Sequence, residues 1–544
     1  MVKSIYINQY RKLKKLNIMI DKNINAISGA NGTCKTSLLH IISNSFQKVA
    51  STSNSVEDSD CIKTIYSIND TVNPKIETLT RGDKKYNDPA HGVQGTLYTV
   101  NYIARSPLNF RRHNSPNNSR YAIKPYYSKG RKDKLPAVPV IYLGLSRLVP
   151  FGEFKDDNSL HKIKKGLPEV FKTELEGLYE EFTKYQIAET AILKMGNVKT
   201  RAEFESKTEG IDSNTISAGE DNLYIILLAI VSLHYYYDSI KQTNDIESVL
   251  LIDELDATLH PSFQIKLLDI LRKYATKYKI QIFFTTHSMT ILEDMLSKKN
   301  NVIYLIDNIT DVVLMEDPDI FKIKMHLQSI TKKDIYYDKV IPIFSEDEEA
   351  RFLINRLFDY YENKYPTFKG VRRLFHFVNV NLGSDNLIKL FKDIKILRNT
   401  MKSICILDGD QQNDMTNNII TLPGHSCDQK QNSLSPENLL LQYCDILYNE
   451  DDQFWKEKTV IDLGYGKTFY RDKILDEIKN NQKKEREFNK KLFNKYKIFF
   501  DLLFKHWLFD KRNEKEILLF YNNLKILFTK NALFNGINPK EWKD

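Results

Sequence analysis

The stretch Gly29-Ala30-Asn31-Gly32-Thr33-Cys34-Lys35-Thr36-Ser37 follows short apolar runs and precedes a segment with helical spacing. A strand, a glycine-rich loop and a helix in this order form a loop whose backbone amides wrap around phosphate groups. We expect Lys35 to reach the β and γ phosphates of ATP and Thr36 to bind Mg²⁺. The residues predicted to contact the nucleotide are Gly29, Asn31, Gly32, Thr33, Cys34, Lys35, Thr36 and Ser37.

Cys34 is the one departure from the usual phosphate-loop pattern, which has glycine at this position. A cysteine is small enough to fit there if its φ angle is negative. The loop alone can also be an ordinary turn that contains glycines. Its interpretation therefore depends on the motifs that follow.

Residues 249–254 read Val-Leu-Leu-Ile-Asp-Glu, an apolar run that ends in two carboxylates. Burial of unpaired charge is costly, so two acids at the end of a buried strand indicate a function. We expect Asp253 to hold the Mg²⁺ shell and Glu254 to orient and deprotonate the attacking water. His287 ends the next apolar run, residues 280–284, after two threonines, and is predicted to sense the γ-phosphate.

The segment Ser217-Ala218-Gly219-Glu220-Asp221 lies one predicted helix before the run that ends at Asp253. It resembles the signature loop of ATP-binding-cassette proteins, which implies that the amides of Ser217 and Gly219 close over a γ-phosphate. Ser217 with Glu220 three residues later is also the pattern of a helix capping box. The two interpretations are compatible because such a loop opens a helix in either case.

Together these motifs resemble the PtuA-type ATP-binding-cassette ATPases of Septu and retron anti-phage defence systems. A more distant resemblance is to the ATPase–Toprim nucleases of the overcoming-lysogenization-defect family. The resemblance rests on residues 29–37, Leu143-Gly144-Leu145-Ser146-Arg147-Leu148, and residues 217–221, 253–261 and 286–288. It implies a head-to-head homodimer in which Ser217 and Gly219 of one subunit meet the ATP of the other. It also implies a partner HNH nuclease (PtuB-like), and as an option a reverse transcriptase with its RNA–DNA hybrid.

A second set of acids follows the first predicted domain. Glu346, Gly383 and the pair Asp408 and Asp410 each follow a predicted strand, which is similar to a Toprim fold. The resemblance implies that Glu346, Asp408 and Asp410 bind Mg²⁺, a hard cation that prefers clustered carboxylates. The acids can also serve a turn and a helix start. Asp347 stands where active members have glycine, and PtuA-type proteins usually act with a separate nuclease, so both interpretations stay open.

The sequence therefore predicts an α/β fold: an ABC-type P-loop ATPase head, then a Toprim-like α/β domain and a helical C-terminal tail. The predicted boundaries are residues 1–330 with a helical insertion at about 160–210, 335–445, and 446–544 as a possible docking region. No apolar run is long enough to cross a membrane, and no cysteine pair suggests zinc, so we expect a cytoplasmic protein. The net charge of the chain is +9, and residues 105–134 are rich in basic residues and tyrosines. This stretch can contact nucleic acid or form a solvated loop.

Three functions are compatible with these features. The first is a regulatory ATPase of a defence complex, and the second is an ATP-gated Toprim nuclease that cuts DNA by itself. The third is an SMC-like DNA repair ATPase. That function predicts a long coiled coil before the signature segment, and the predicted helices at residues 167–195 are short for this role.

Overall fold

The computed structural model describes residues 1–50, 56–80, 88–113, 121–127, 134–154, 157–163, 166–196, 198–207, 209–241, 247–336, 338–393, 395–396, 402–424, 434–450, 452–479 and 485–543. The chain forms two compact units, Met1–Ile330 and Thr331–Asp544. No helix among these described residues has the length and apolar content needed to cross a membrane.

Most strands of the first unit belong to one large mixed sheet. The strands are β1 (Val2–Tyr10), β2 (Leu13–Met19), β3 (Ile24–Gly29), β4 (Thr96–Tyr102), β5 (Arg105–His113), β6 (Ala122–Tyr126), β7 (Val140–Leu143), β8 (Leu160–Lys162), β9 (Ile187–Met195), β10 (Lys199–Ser206), β11 (Ser248–Ile252), β12 (Ile280–Thr285), β13 (Asn301–Asp307) and β14 (Val312–Leu314). The sheet order is β6-β5-β4-β1-β2-β14-β13-β3-β12-β11-β7. Strands β13, β3, β12, β11 and β7 run parallel, whereas β6, β5, β4, β1 and β2 form an antiparallel half.

Helices cover the parallel half, whose strands β3, β11 and β12 are buried along their whole length. Continuous apolar sequence is what a parallel strand covered on both faces requires. The helices of this unit are α1 (Lys35–Ser43), α2 (Ser59–Ile68), α3 (Ile76–Leu79), α4 (Glu169–Thr183), α5 (Ala218–Asp238), α6 (Pro261–Lys277), α7 (Met289–Ser297) and α8 (Ile320–Gln328). Short 3₁₀ helices lie at Leu145–Leu148, Phe151–Glu153 and Asp157–Ser159.

The insertion at residues 160–210 is only partly helical, which corrects the prediction. Helix α4 is present, but β8, β9 and β10 follow as a separate three-stranded antiparallel sheet. Gly196, with a φ of 52°, allows the reversal after β9, a conformation that glycine adopts without steric cost. The apolar residues of the second half of the insertion therefore alternate along strands instead of lining one face of a helix.

The second unit is a four-stranded parallel sheet packed with helices, in the order β16-β15-β17-β18. Its strands are β15 (Ile341–Ser345), β16 (Phe375–Phe377), β17 (Ile404–Leu407) and β18 (Ile419–Thr421). Its helices are α9 (Lys332–Ile335), α10 (Glu348–Lys364), α11 (Phe368–Arg372), α12 (Ser384–Lys392), α13 (Pro436–Asn449), α14 (Lys458–Asp462), α15 (Lys467–Phe469), α16 (Asp476–Lys479), α17 (Glu485–Lys495), α18 (Lys497–Phe509) and α19 (Glu514–Ala532). A π-helical turn lies at Tyr470–Leu475, and short 3₁₀ helices lie at Met415–Asn417, Gln453–Lys456, Lys511–Asn513 and Pro539–Glu541.

The C-terminal helices share one core with this sheet. Side chains of α18 and α19, among them Trp507 and Leu524, are buried in the same cluster as Ile343 and Ile406 of the strands. The predicted boundary at residue 445 falls inside α13. A tail at residues 446–544 is therefore not a separate region, because its apolar side chains complete the core of the second unit.

Candidate functional site

The phosphate loop joins β3 to α1 and is closed by Lys35. The Lys35 ammonium donates hydrogen bonds of 3.0 Å to the carbonyls of both Gly29 and Ala30. A Cβ atom on Gly29 would lie 2.2 Å from the Leu305 carbonyl oxygen, and Gly29 has a φ of 148°, so only glycine fits. Burial lowers the pKa of Lys35, against the opposing effect of the Glu254 carboxylate.

Cys34 adopts a φ of 66°, so the condition of a negative φ is not met, and the residue nevertheless occupies this position. It is the residue immediately before α1, and its left-handed conformation turns the chain from the loop into the helix. This conformation costs a residue with a side chain about 1 kcal/mol relative to glycine. The glycine that phosphate loops normally have at this position is explained by that φ angle, and Cys34 accepts the strain.

Asp253 is held by two hydroxyl groups at the carboxyl ends of the parallel strands. Thr36 Oγ1 lies 2.9 Å from Asp253 Oδ2, and Thr285 Oγ1 donates to Asp253 Oδ1 over 2.7 Å. Asp253 itself is only 2% exposed. A hydroxyl and a carboxylate are ligands that Mg²⁺ prefers, so the donor set of Thr36 and Asp253 fits that ion.

Glu254 begins a tight turn next to this pair. Its φ is 52°, and its backbone amide donates to Thr285 Oγ1 over 2.7 Å, so the turn is fixed from the neighbouring strand. Two residues later, Asp256 accepts a 3.3 Å hydrogen bond from the backbone amide of His287. Burial lowers the pKa of His287, and the charge of Lys35 lowers it further. The imidazole is therefore neutral at neutral pH, in surroundings shared with Lys35 and Glu254.

The predicted signature segment forms the N-terminus of α5 and contains the capping box. Ser217 accepts a hydrogen bond from the Glu220 amide, and the Glu220 carboxylate accepts one from the Ser217 amide over 2.8 Å. A Cβ atom on Gly219 would lie 2.5 Å from the Thr258 carbonyl oxygen, so glycine is required here as well. Asn222 donates to the Ala257 carbonyl over 2.9 Å. The segment is thereby packed against the turn that follows Glu254.

Arg147 is a site residue to which the sequence interpretation assigned no role. It is 3% exposed and donates to the Glu254 carbonyl and to the Asn222 side chain, each over 2.8 Å. Burial lowers its pKa to about 10. Lys199 of the insertion donates to the Arg147 carbonyl over 3.2 Å and forms an ion pair with Asp221 of α5. Arg147 thus joins the Glu254 turn, the signature helix and the insertion, and its position after β7, beside β11, is the signal that could have marked it.

The second unit brings two of its three predicted acids together. Asp408 and Glu346 follow the adjacent parallel strands β17 and β15, and the Asp408 amide donates to Glu346 Oε1 over 3.0 Å. Burial and the neighbouring Glu346 carboxylate raise the pKa of Asp408 to about 8. Asp410 is half-buried and accepts a hydrogen bond from Gln411. A Cβ atom on Gly409 would lie 2.5 Å from Gly424, which explains the glycine between the two aspartates.

Two further residues complete this acidic cluster. Glu437, in the first turn of α13, is 2% exposed, and burial raises its pKa. Lys490 of α17 forms an ion pair with Asp347. Burial of Asp347 acts in the opposite direction, but the hydrogen bond from Lys490 holds its pKa below the usual value. The sequence interpretation missed both residues because they lie 91 and 144 positions after Glu346.

Among the described residues, no three His, Cys, Asp or Glu side chains are grouped so that they could hold a metal ion.

Comparisons with known proteins agree with an ATPase head. Residues 184–293 match the family model described as "AAA domain, putative AbiEii toxin, Type IV TA system". The matched segment includes Ser217, Asp253, Glu254 and His287. No curated protein matches the chain. Together with this match, the fold and the site of the first unit are those of a P-loop ATPase head.

Solved structures of such heads are similar to part of the chain. The SMC head bound to the C-winged helix domain of ScpA has a TM-score of 0.35 at 11% identity, covering 59% of this chain and 99% of that one. The SMC head domain from Thermotoga maritima has a TM-score of 0.32 at 10% identity, covering 58% and 99%. The recombination mediator RecF with ATP has a TM-score of 0.32 at 12% identity, covering 58% and 97%.

Proposed function

We propose that the protein is the ATP-controlled regulatory subunit of a bacterial anti-phage defence complex. ATP binding and hydrolysis are supported best by the Asp253 carboxylate, which lies between the Thr36 and Thr285 hydroxyls beside the phosphate loop. Lys35 closes the loop on its own carbonyls and carries the positive charge that a phosphate group needs there. The donors of a nucleotide site are therefore assembled at the carboxyl ends of the parallel strands.

The residues of this site have separate roles in hydrolysis. When ATP binds, Lys35 exchanges its bonds to the Gly29 and Ala30 carbonyls for bonds to the phosphates. Glu254 accepts a proton from the attacking water. The hydrogen bond from its backbone amide to Thr285 fixes the turn that carries this carboxylate. A bound Mg²⁺ ion neutralises phosphate charge. His287, which is neutral at neutral pH, donates or accepts a hydrogen bond at the γ-phosphate without adding a charge.

The proposed active assembly is a head-to-head homodimer. Ser217 and Gly219 lie at the N-terminus of α5, a helix of 21 residues, and the amides at a helix N-terminus can bind an anion. In the dimer they would contact the γ-phosphate bound by the partner subunit. Hydrolysis would then separate the heads and act as a switch for bound proteins.

The proposed partner is an HNH nuclease of the PtuB type, with a reverse transcriptase and its RNA–DNA hybrid as further members. Two supports exist: the resemblance of the ordered motifs, and a family model whose description mentions a toxin of a Type IV TA system. The test is phage plating on cells that carry the protein with its neighbouring genes. Lys35→Ala should abolish protection, and full protection by that variant would contradict the proposal.

The second candidate is a nuclease site in the second unit. It is favoured by Asp408 and Glu346, a buried pair of carboxylates at the ends of adjacent parallel strands, and by the buried Glu437 in the first turn of α13. Purified protein would be incubated with plasmid DNA and Mg²⁺ or Mn²⁺. Cleavage that Asp408→Ala removes would establish this activity, and cleavage that persists in the variant would assign it to a contaminant.

The SMC-like repair function is less well supported by the described residues. Between the phosphate loop and Ser217, the longest described helix is α4, with 15 residues. A helix of this length measures about 23 Å, far shorter than the long coiled coil that this function predicts. The insertion instead contains a small antiparallel sheet.

A further inference from the structure

The antiparallel half of the large sheet is basic and contains no acidic residue. Its strands β6, β5, β4, β1 and β2 include no Asp or Glu, although the whole chain has 70 acidic residues against 79 basic ones. The basic residues of these strands are Lys3, Lys14, Lys15, Arg105, Arg111, Arg112 and Lys124. Strands whose charged residues are all basic create a positive potential that attracts an anionic partner.

One row of side chains crosses all five strands on the solvent face. The residues in register are Tyr126, Asn109, Thr99, Tyr6 and Asn17. The two tyrosines are 47% and 44% exposed, which is unusual for large aromatic side chains. Three strand spacings separate them, so their rings stand about 14 Å apart. Between them, Thr99 donates to Asn109 over 2.8 Å, which leaves the Asn109 amide group to face solvent.

The second row places like charges directly opposite each other. Arg111 of β5 is in register with Lys124 of β6, an arrangement that weakens a sheet. No carboxylate within the described part of the chain forms an ion pair with either residue. The Arg111 guanidinium lies 3.7 Å from the centre of the Tyr126 ring, so its charge is held beside an exposed aromatic surface. Two adjacent cations that pair with no carboxylate of the described residues form a favourable surface for an external anion.

We propose that this basic sheet face, formed by Tyr6, Asn109, Arg111, Lys124 and Tyr126, binds single-stranded nucleic acid. Lysine and arginine hold phosphates, exposed tyrosines stack on bases, and an asparagine amide pairs with base edges. Stacking requires unpaired bases, which a duplex does not offer, so the tyrosines favour a single strand. The proposal goes beyond the proposed function, because the face uses none of the residues that bind ATP. Its sequence signal was the stretch 105–134, of which Arg120, Lys129, Arg131 and Lys132 lie outside the described residues.

The experiment measures fluorescence anisotropy of a labelled oligothymidylate with the full-length protein, without nucleotide, over a series of KCl concentrations. Wild-type protein should bind, with log Kd depending linearly on log salt. The Arg111→Ala/Lys124→Ala variant should lose about tenfold or more in affinity. Its salt slope should fall by roughly 1.4, since each lost contact to a single strand removes about 0.7.

Tyrosine variants separate stacking from charge. Tyr6→Ala and Tyr126→Ala should each weaken binding by about tenfold and leave the salt slope unchanged, because no phosphate contact is lost. Tyr6→Phe and Tyr126→Phe keep the ring and should restore binding. Thermal melting followed by circular dichroism shows that each variant is folded.

The matched control is Lys207→Ala/Lys273→Ala, which removes the same charge from exposed positions elsewhere in the first unit. It should bind like wild type. Three results would overturn the proposal: no binding by wild-type protein, an equal loss in the control, or equal binding of a duplex or of polyglutamate. Since no ATP is present, a failure of the ATPase proposal leaves this experiment unaffected.

Discussion

Asp253 in the first unit and Asp408 in the second both follow a buried parallel strand, yet their surroundings differ. Asp253 is held by the hydroxyls of Thr36 and Thr285. Asp408 lies beside the Glu346 carboxylate, and burial with that neighbour raises its pKa to about 8. Neutral donors orient a carboxylate for a cation, whereas a second buried acid favours its protonated form. The same strand-end position therefore supports two different chemistries.

The lysines of the two sites differ in the same way. Lys35 donates to two backbone carbonyls, and its charge is available to an anionic ligand. Lys490 forms an ion pair with Asp347, so its charge is balanced within the protein. Lys35 is therefore available to an anionic ligand such as ATP, whereas Lys490 balances one carboxylate of the acidic cluster.

The largest effect is expected for Lys35→Ala. Loss of the charge-assisted hydrogen bonds to the phosphates should weaken ATP binding about a hundredfold or more, measured by isothermal titration calorimetry. Lys490→Ala is the matched control and should bind ATP like wild type. Equal loss in both variants, or no loss in Lys35→Ala, would contradict the contrast.

The next prediction concerns His40, which packs against Tyr142 directly behind the phosphate loop, with 3.2 Å between Nε2 and the phenol oxygen. Burial lowers its pKa from 6.5 to about 4, so the unfolded chain takes up the proton first as pH falls. Stability present above pH 6.5 is therefore lost as pH falls towards 4, by about 3 kcal/mol.

Urea unfolding of wild-type protein and His40→Gln at several pH values measures this loss. The variant should lose about 3 kcal/mol less than wild type over this range, and the exposed control His91→Gln should behave like wild type. An identical acid dependence of wild type and His40→Gln would show that this contact beneath the loop does not control stability.

A smaller effect is expected for Gly219→Ala. The added Cβ would lie 2.5 Å from the Thr258 carbonyl, so the signature segment must shift. Hydrolysis should fall about tenfold, equivalent to about 1.4 kcal/mol, while ATP affinity stays near the wild-type value. Gly177→Ala, on exposed helix α4 with open space around the new Cβ, should hydrolyse ATP normally. Normal hydrolysis by Gly219→Ala would show that the signature segment does not contribute to ATP hydrolysis.

The smallest effect is expected for Cys34→Gly. Glycine relieves the positive φ of 66°, but it also gives the unfolded chain more freedom, so the stability gain stays below about 1 kcal/mol. Cys34→Val should be clearly destabilised, because a β-branched residue tolerates this conformation poorly. Thermal melting of both variants measures the difference, and equal melting temperatures would contradict the assigned strain.

The ordered motifs were sufficient to predict the parallel core, because β11 and β12 are largely apolar strands that Asp253 and His287 follow closely in the sequence. Local sequence could not show how distant side chains meet. Arg147 reaches the Glu254 carbonyl and Asn222 only after the sheet has formed, so no spacing pattern reveals the contact. The positive φ of Cys34 could not be read from its residue type, because the turn of the loop imposes it.

The second unit shows the same limit. The positions of Glu346 and Asp408 after successive strands were readable from the sequence, and the two do meet. Glu437 and Lys490 come from helices α13 and α17, and the sequence interpretation placed Lys490 in a separate tail. Because those helices complete the sheet's core, their polar residues join the acidic cluster.

We expect the first unit to hydrolyse ATP through Glu254. Steady-state phosphate release by Glu254→Gln beside Asp408→Asn, with ATP affinity measured on the same samples, tests this role. Glu254→Gln should bind ATP but hydrolyse it about a hundredfold to a thousandfold more slowly, and Asp408→Asn should match wild type. Wild-type hydrolysis by Glu254→Gln, or its loss in Asp408→Asn, would contradict the claim.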